Sequence, residues 1–245
     1  MVLPVLQRLS PRLQAVADQV IPRRTAVDVG ADHAQLAVYL VATGHCPRVM
    51  AIECRPGPLA AAAATIRRFR ATDVELRLGN GLRGLVPGAY ASIVIAGMGG
   101  RTIRSILEDT PAVVRAAERL VLQPNTEWAE LRGWLAGRGW PVTAEHLVEE
   151  RRRTYLIMAV DPRAAAPWVP SPVERLLGFE MTRRDPVTDR WIEREIGWRR
   201  KALSRMEKNG SNGCERLRLR RQVAMLDDHL QSSRVLQRRA LNALR

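Results

Sequence analysis

From residue 25 to residue 160, short apolar runs alternate with amphipathic stretches. TAVDVG (25–30), VMAIEC (49–54), VELRLG (74–79), SIVIAGM (92–98) and RLVLQP (119–124) read as strands. The segments 33–43, 57–70, roughly 100–109 and 126–138 fit helices between them. That alternation predicts an α/β domain, with a parallel sheet covered by helices. Two final runs, PVTAEHLVEE (141–150) and TYLIMAV (154–160), have only Arg151-Arg152-Arg153 between them. The link is too short for a helical crossover, so these two strands should pair antiparallel.

The pattern changes after residue 160. DPRAAAPWVPSP (161–172) reads as a proline-rich linker. Beyond it, Ile192, Ile196, Leu203 and Met206 fall at heptad spacing. Leu219, Val223, Leu226 and Leu230 do so again after Asn209-Gly210-Ser211-Asn212-Gly213. Two helices joined by such a turn make an antiparallel, coiled-coil-like pair. The expected organisation is a domain over 1–160, a linker over 161–172 and a basic α-helical domain over 173–245. Near the N-terminus, Leu9-Ser10-Pro11-Arg12-Leu13 predicts a helix start, with Ser10 as N-cap and Pro11 at the first helical position.

Charge sharpens this picture. Lys and Arg number 39 against 25 Asp and Glu, a formal net charge of +14. Only Lys201 and Lys208 are lysines. Arginine stacks on bases and grips phosphate in a fork, so the excess points to a polyanion, nucleic acid being the simplest. Residues 162–245 carry 19 basic and 10 acidic side chains, and residues 1–161 carry 20 and 15. The helical segment is therefore the more one-signed; its arginine faces either hold RNA or only pack on the core or another subunit. Arg8, Arg12, Arg101, Arg199 and Arg200 are the candidate RNA contacts. No apolar run approaches the roughly 20 residues of a membrane span, and MVLPVLQRLSPRLQ lacks the order of a secretion signal. A cytoplasmic protein with no membrane association is expected. Cys46, Cys54 and Cys214 are too widely spaced for a zinc site or disulfide framework and are expected to be reduced and mostly buried. His33, His45, His146 and His229 show no ligand spacing, so no metal is expected. No obligate protein partner is implied.

In a sheet of this kind ligands sit at the carboxyl ends of the strands. The first strand ends in DVGADH, where Gly30 permits a tight turn and close backbone approach. Asp28 and Asp32 would repel a pyrophosphate, yet they would attract a sulfonium carrying an ammonium, as in S-adenosylmethionine. The second strand ends in Glu53, the place of an acid that accepts two ribose hydroxyls. The third ends in Gly79-Asn80-Gly81, with Asn80 facing an adenine edge and Gly81 allowing close approach. The fourth ends in Ala96-Gly97-Met98-Gly99-Gly100, and the fifth in Leu122-Gln123-Pro124-Asn125, which offers two amides. Five parallel strands closed by an antiparallel hairpin are the plan of a Rossmann-like class I methyltransferase. An NAD-dependent dehydrogenase is disfavoured by the absent glycines and by that hairpin.

LSPRLQAVADQV, DVGADHAQL, the Glu53 strand with Gly57-Pro58, RLGNGL, IAGMGGRTI and LVLQPN occur in this order. Together they resemble the bacterial tRNA (adenine-22-N1)-methyltransferase family, over residues 9 to 160 by motif and beyond that by architecture. The resemblance implies a class I methyltransferase domain with a C-terminal helical extension. It implies S-adenosyl-L-methionine as cofactor and transfer of a methyl group to N1 of an adenine in tRNA. Asp28, Gly30, Asp32, His33, Glu53, Asn80, Gly81, Gly97 and Met98 are then the cofactor-binding candidates. Asp32, His33, Met98 and Asn125 are the candidates beside the reacting atoms, with Asp32 first; the bland role for His33 is to cap its helix or bond a backbone carbonyl. The chain departs from the family at Asn80, where an acid is usual, and at Gln35-Leu36-Ala37, where an aromatic-leucine-proline is usual. A methyltransferase acting on another RNA or position, and a non-catalytic RNA-binding protein that retains the fold, are the competing readings.

Overall fold

The computed structural model describes residues 8–151, 153–165, 169–178, 186–208 and 213–243. Strands β1 (Ala26–Val29) and β2 (Val49–Glu53) are buried at every position. Burial on both faces explains why they read as continuous apolar runs rather than as alternating ones. With β3 (Val74–Leu78), β4 (Ser92–Gly99), β5 (Arg119–Thr126), β6 (Val142–Glu150) and β7 (Arg153–Val160) they form one sheet in the order β3-β2-β1-β4-β5-β7-β6. The first five pair parallel; β7 runs antiparallel to β5 and to β6. The expected hairpin-closed α/β sheet is therefore present. Chain order reverses beside β1, whose neighbours are β2 and β4, and that reversal leaves a crevice at the strand ends.

The connecting helices are α2 (Gln35–Ala42), α3 (Pro56–Phe69), α4 (Gly100–Asp109), α5 (Pro111–Ala116) and α6 (Trp128–Gly137). Helix α5 has no counterpart in the sequence reading, since six residues are too few to show a helical period. Helix α2 starts two residues later than the apolar spacing implies, because Asp32 (φ 50°) and Ala34 (φ 53°) are left-handed. The helix α1 (Pro11–Ala17) begins as expected, with the Ser10 hydroxyl accepting from the Leu13 amide. Val16, Ala17 and Val20 from this segment join Leu36, Leu40 and Val94 in the core.

The chain divides into two compact units, Met1–Val169 and Pro170–Arg245, and the division falls inside the proline-rich segment. The second unit holds α7 (Pro172–Leu177), α8 (Pro186–Lys208) and α9 (Gly213–Ala243). Ser171 and Glu174 form a reciprocal capping box at the start of α7, within and just after what reads as linker. Arg200 pairs with Asp227 at 2.7 Å and Arg220 with Glu207 at 2.6 Å, which fixes α8 and α9 as antiparallel. Ile192, Ile196, Leu203, Leu226 and Leu230 are buried as the heptad spacing predicts; Met206, Leu219 and Val223 are half-buried. Of the turn named from the sequence, residues 209–212 lie outside the described residues, as does Arg152. One expectation fails: only Cys46 is buried, while Cys54 and Cys214 are exposed. Cys54 follows the buried end of β2 at the crevice, and Cys214 opens α9 before its heptad positions begin. No helix among the described residues is long and apolar enough to cross a membrane.

Candidate active site

The crevice beside β1 opens into a cavity of about 490 Å³ at the strand ends. One wall is acidic. Glu53, at the end of β2, is 3% exposed. Its carboxylate accepts from the amides of Asp32 at 3.2 Å, Cys54 at 3.0 Å and Arg55 at 3.0 Å. Burial works against its charge, but these amides, with the Cys54 thiol, hold the carboxyl below its ordinary range. Asp28 is 5% exposed and faces the same cavity, and no described residue donates to its carboxylate. Desolvation first, and the neighbouring Glu53 charge second, push it up to about 7. It is a buried acid without a partner, at a place where a cation would suit it.

The loop after β1 explains its own composition. Gly30 has φ +73°, and a Cβ there would lie 2.3 Å from Cε of Met98. The next two left-handed residues, Asp32 and Ala34, are not glycines. An aspartate tolerates that conformation better than most residues, and an alanine there costs roughly 1–2 kcal/mol. Asp32 is thereby turned outward, its side chain 61% exposed, with the His33 ring nitrogen 3.8 Å from its carboxylate and itself 58% exposed. Ala34, not His33, occupies the N-cap of α2, and no side chain caps that helix.

The opposite wall is built of amides. Strand β4 shifts register against β5 between Ala96 and Gly99, which throws Gly97 (φ +78°) and Met98 toward the cavity. Asn125 donates to the Gly97 carbonyl at 2.8 Å and accepts from Gln123 at 3.0 Å. Gln123, fully buried, accepts from the Arg12 guanidinium at 2.8 Å. That guanidinium lies over the Tyr155 ring, 5.5 Å from its centre. The Arg12 main-chain amide donates to Glu150 at 3.0 Å, tying α1 to β6. Below this wall α4 starts hard against the β5–α6 connection: a Cβ on Gly100 would sit 2.7 Å from the Glu127 carbonyl oxygen.

The structure thus brings Asp28, Gly30, Asp32, His33, Glu53, Gly97, Met98 and Asn125 to one cavity. Asn80 and Gly81 do not line it: Asn80 is exposed, one residue after Gly79, whose amide donates to the Glu53 carbonyl at 3.0 Å, and a Cβ on Gly81 would meet Ile106 of α4. Of the basic candidates, Arg8 is exposed, and Arg101 is exposed but pairs with Glu127 at 3.0 Å. Arg12 faces the cavity instead of open solvent. Arg199 is turned into the helical pair, its side chain 15% exposed, bonded to Glu195 and to Gln222 at 3.2 Å. Arg200 is 61% exposed beside Asp227. Gln123, Arg153 and Tyr155 also meet the site, the first through Asn125 and the other two in its lining. The sequence signal for Gln123 is its place in LQPN; Tyr155 reads only as part of an apolar strand, and Arg153 as part of the link before it.

A family model described as a methyltransferase domain matches residues 9–158. The curated tRNA (adenine(22)-N(1))-methyltransferase of Bacillus subtilis is 32% identical over 155 residues, covering 63% of this chain and 65% of that one. The chain thus matches just under two thirds of that relative's length. A putative tRNA methyltransferase of Mycoplasma pneumoniae is 32% identical over 159 residues, 72% of its length. Among solved structures, a putative tRNA (m1A22) methyltransferase of Streptococcus pneumoniae, in complex with S-adenosyl-L-methionine, is 31% identical with a TM-score of 0.81. That match covers 91% of this chain and all of the other, so it continues past the methyltransferase domain. A hairpin-closed sheet, an acid-walled cavity at its switch point and these likenesses agree, and the chain belongs to the methyltransferase-domain family, in the group that contains the tRNA (adenine-22-N1)-methyltransferases.

Proposed function

We propose that this protein is an S-adenosyl-L-methionine-dependent methyltransferase acting on N1 of an adenine in tRNA, at position 22. The observation that carries the reading is the acid wall. Asp28 presents a buried, unpartnered carboxylate to the cavity, and Glu53 is held ionised beside it. A ligand with cationic groups at one end and a ribose diol at the other meets both, whereas a pyrophosphate meets only repulsion. Glu53 would accept the ribose hydroxyls and Asp28 would face the cationic end. Gly30 leaves the room that a side chain would fill. The cofactor supplies an electrophilic methyl group.

The rest falls to the chain. Adenine N1 carries an in-plane lone pair, so no general base is required, and alignment supplies much of the rate. The acceptor ring gains positive charge as the bond forms. Asp32 at the mouth, together with the Gly97 carbonyl and the Asn125 amide, offers negative charge and dipoles to that ring. N1 lies on the Watson–Crick edge, so the nucleotide must be met unpaired or drawn out of the fold.

The RNA face in this reading lies on α8. Arg190, Arg194, Trp198, Lys201, Arg205 and Lys208 recur at three- and four-residue spacing along one side of the helix. Trp198 is 76% exposed. Lys201, Arg205 and Lys208 are exposed, and no described carboxylate pairs with them. The acids of this helix, Asp189, Glu193, Glu195 and Glu207, lie on its other sides. A cationic stripe with a bare indole fits a phosphate backbone with an accessible base. A cytoplasmic location follows from a tRNA substrate.

Nucleotide-resolution mapping after incubation with total tRNA and the methyl donor tests the proposal. N1-methyladenine at position 22 is expected, and it should be lost in Asp32→Ala. Methylation elsewhere would move the site of action. Absence of donor binding in calorimetry would favour a non-catalytic RNA-binding protein that retains the fold.

A further inference from the structure

The amide wall contains a hydrogen-bond chain whose direction is fixed at both ends. Arg12 has only donors. Its Nη1 meets Gln123 at 2.8 Å, so the Gln123 atom facing it must be Oε1. Gln123 Nε2 then points at Asn125 at 3.0 Å, which makes the facing Asn125 atom Oδ1. Asn125 Nδ2 is left to meet the Gly97 carbonyl at 2.8 Å, and a carbonyl can only accept. Reversing either amide would set donor against donor at Arg12 or oxygen against oxygen at Gly97. Its middle link, Gln123, is fully buried, and from there the chain runs out to Asn125 and Gly97, which are exposed at the mouth.

We infer that Arg12 is a positioning residue for methyl transfer: through Gln123 it fixes which end of the Asn125 amide, and which position of the Gly97 carbonyl, faces the acceptor base. The inference rests on the methyltransferase reading above. It assigns Arg12 a role that its charge alone does not suggest, since a phosphate contact would leave the guanidinium in solvent. The arginine is held for this purpose from three sides. Its main chain is tied to Glu150, its guanidinium lies over Tyr155, and one nitrogen is committed to Gln123. The lock matters because adenine and guanine differ by exchange of donor and acceptor at position 6. A freely flipping amide presents both patterns, whereas a locked one presents a single pattern. The same lock steadies the bulged Gly97–Met98 segment, whose methionine tip lies over Gly30 in the donor loop.

Three variants test this, each compared with wild type for kcat, tRNA KM and donor affinity. Arg12→Ala removes the first donor. Gln123→Glu keeps shape and an acceptor for Arg12, yet has no donor for Asn125. Arg12→Lys restores a donor-only group. The inference expects kcat to fall at least tenfold in the first two, with donor Kd and tRNA KM within threefold of wild type, and Arg12→Lys to recover at least half of the loss. In free ¹⁵N-labelled protein, the Asn125 side-chain amide protons should exchange more slowly in wild type than in Gln123→Glu. A raised tRNA KM at unchanged kcat in Arg12→Ala would make Arg12 a phosphate contact and overturn the inference, as would unchanged Asn125 exchange in Gln123→Glu. Should Arg12→Ala not fold, Arg12→Lys and Gln123→Glu carry the same comparison. A wild-type protein that transfers no methyl group would end the methyltransferase reading alone, because the amide exchange still reports on the chain.

Discussion

The two walls of the cavity are held by different means. On the acidic side, three main-chain amides grip Glu53, and burial in the sheet fixes Asp28. Main-chain donors at a strand end depend on the fold and hardly at all on neighbouring side chains. On the amide side, a run of side chains reaches from α1 through Gln123 and Asn125 to Gly97. Its geometry depends on a helix that contributes no strand to the sheet. The first wall is suited to a ligand that is the same at every turnover. The second is open to adjustment from outside the sheet, as the proposed recognition of one base within a large RNA would require.

The sharpest way to break this contrast is Asp28→Asn. The carboxyl of Asp28 lies near 7 in the folded protein, above the ordinary value of 3.8. The folded state thus binds the proton more tightly than the unfolded one. The cost is absent below the ordinary value, grows as pH rises toward 7 and is constant above it, reaching at most about 4 kcal/mol. Asparagine removes that cost, so the free variant should melt at a higher temperature than wild type at pH 8 and at nearly the same temperature at pH 4. Donor affinity should fall by at least about thirtyfold, from loss of one charge-assisted contact. Higher stability with unchanged affinity would detach Asp28 from the cofactor. In wild type the donor's Kd should tighten about fivefold between pH 6 and pH 7, with proton release in calorimetry, while the ligand's own amine stays mostly protonated. Asp28→Asn should flatten that profile.

A pair of glycines gives the next contrast. Gly100→Ala meets main-chain oxygens of Glu127 and Thr126 at 2.7 and 2.9 Å, which cannot give way without moving the β5–α6 connection. A loss of about 2–3 kcal/mol is expected in denaturant unfolding. Gly30→Ala meets only the end of a flexible methionine. Its stability cost should be near the 1–2 kcal/mol of a left-handed alanine. The main effect should be on donor affinity, because the displaced Met98 tip moves within the cavity. Equal stability losses would mean that the donor loop is as rigid as the strand ends beneath it.

The acid wall was legible in the sequence because its residues stand at strand ends that the apolar runs themselves announce. Asp28, Gly30 and Glu53 needed only the strand assignment to be placed. The amide wall was half legible. LQPN advertised two amides, but their coupling to Arg12 joins residues 111 positions apart, and no periodicity reports a contact of that range. Asn80 is illegible for another reason: a glycine-flanked amide after a strand looks the same whether or not its side chain lines the cavity. Helix α5 and the capped α7 were hidden by brevity. In the second unit the heptads gave the buried seam correctly. They left undecided which arginines line it, and Arg199 proved to be spent there on Glu195 and Gln222.

That distinction supplies the smallest and most discriminating expectation. If the cationic side of α8 that carries Trp198 holds RNA, Trp198→Ala should weaken tRNA binding by about five- to a hundredfold, the range of one base–aromatic stack. Lys201→Gln with Arg205→Gln should lower the slope of log Kd against log salt, since each lost phosphate contact releases fewer counterions. Arg200→Gln, on the neighbouring side and already paired with Asp227, should change binding less than twofold. All three are read by filter binding across a salt series, and none should alter donor affinity, because none of these residues lines the cavity. The ranking carries the argument. Arg200 weighing as much as Trp198 would show that the extension attracts RNA by bulk charge, and the stripe would lose its claim to be a built surface.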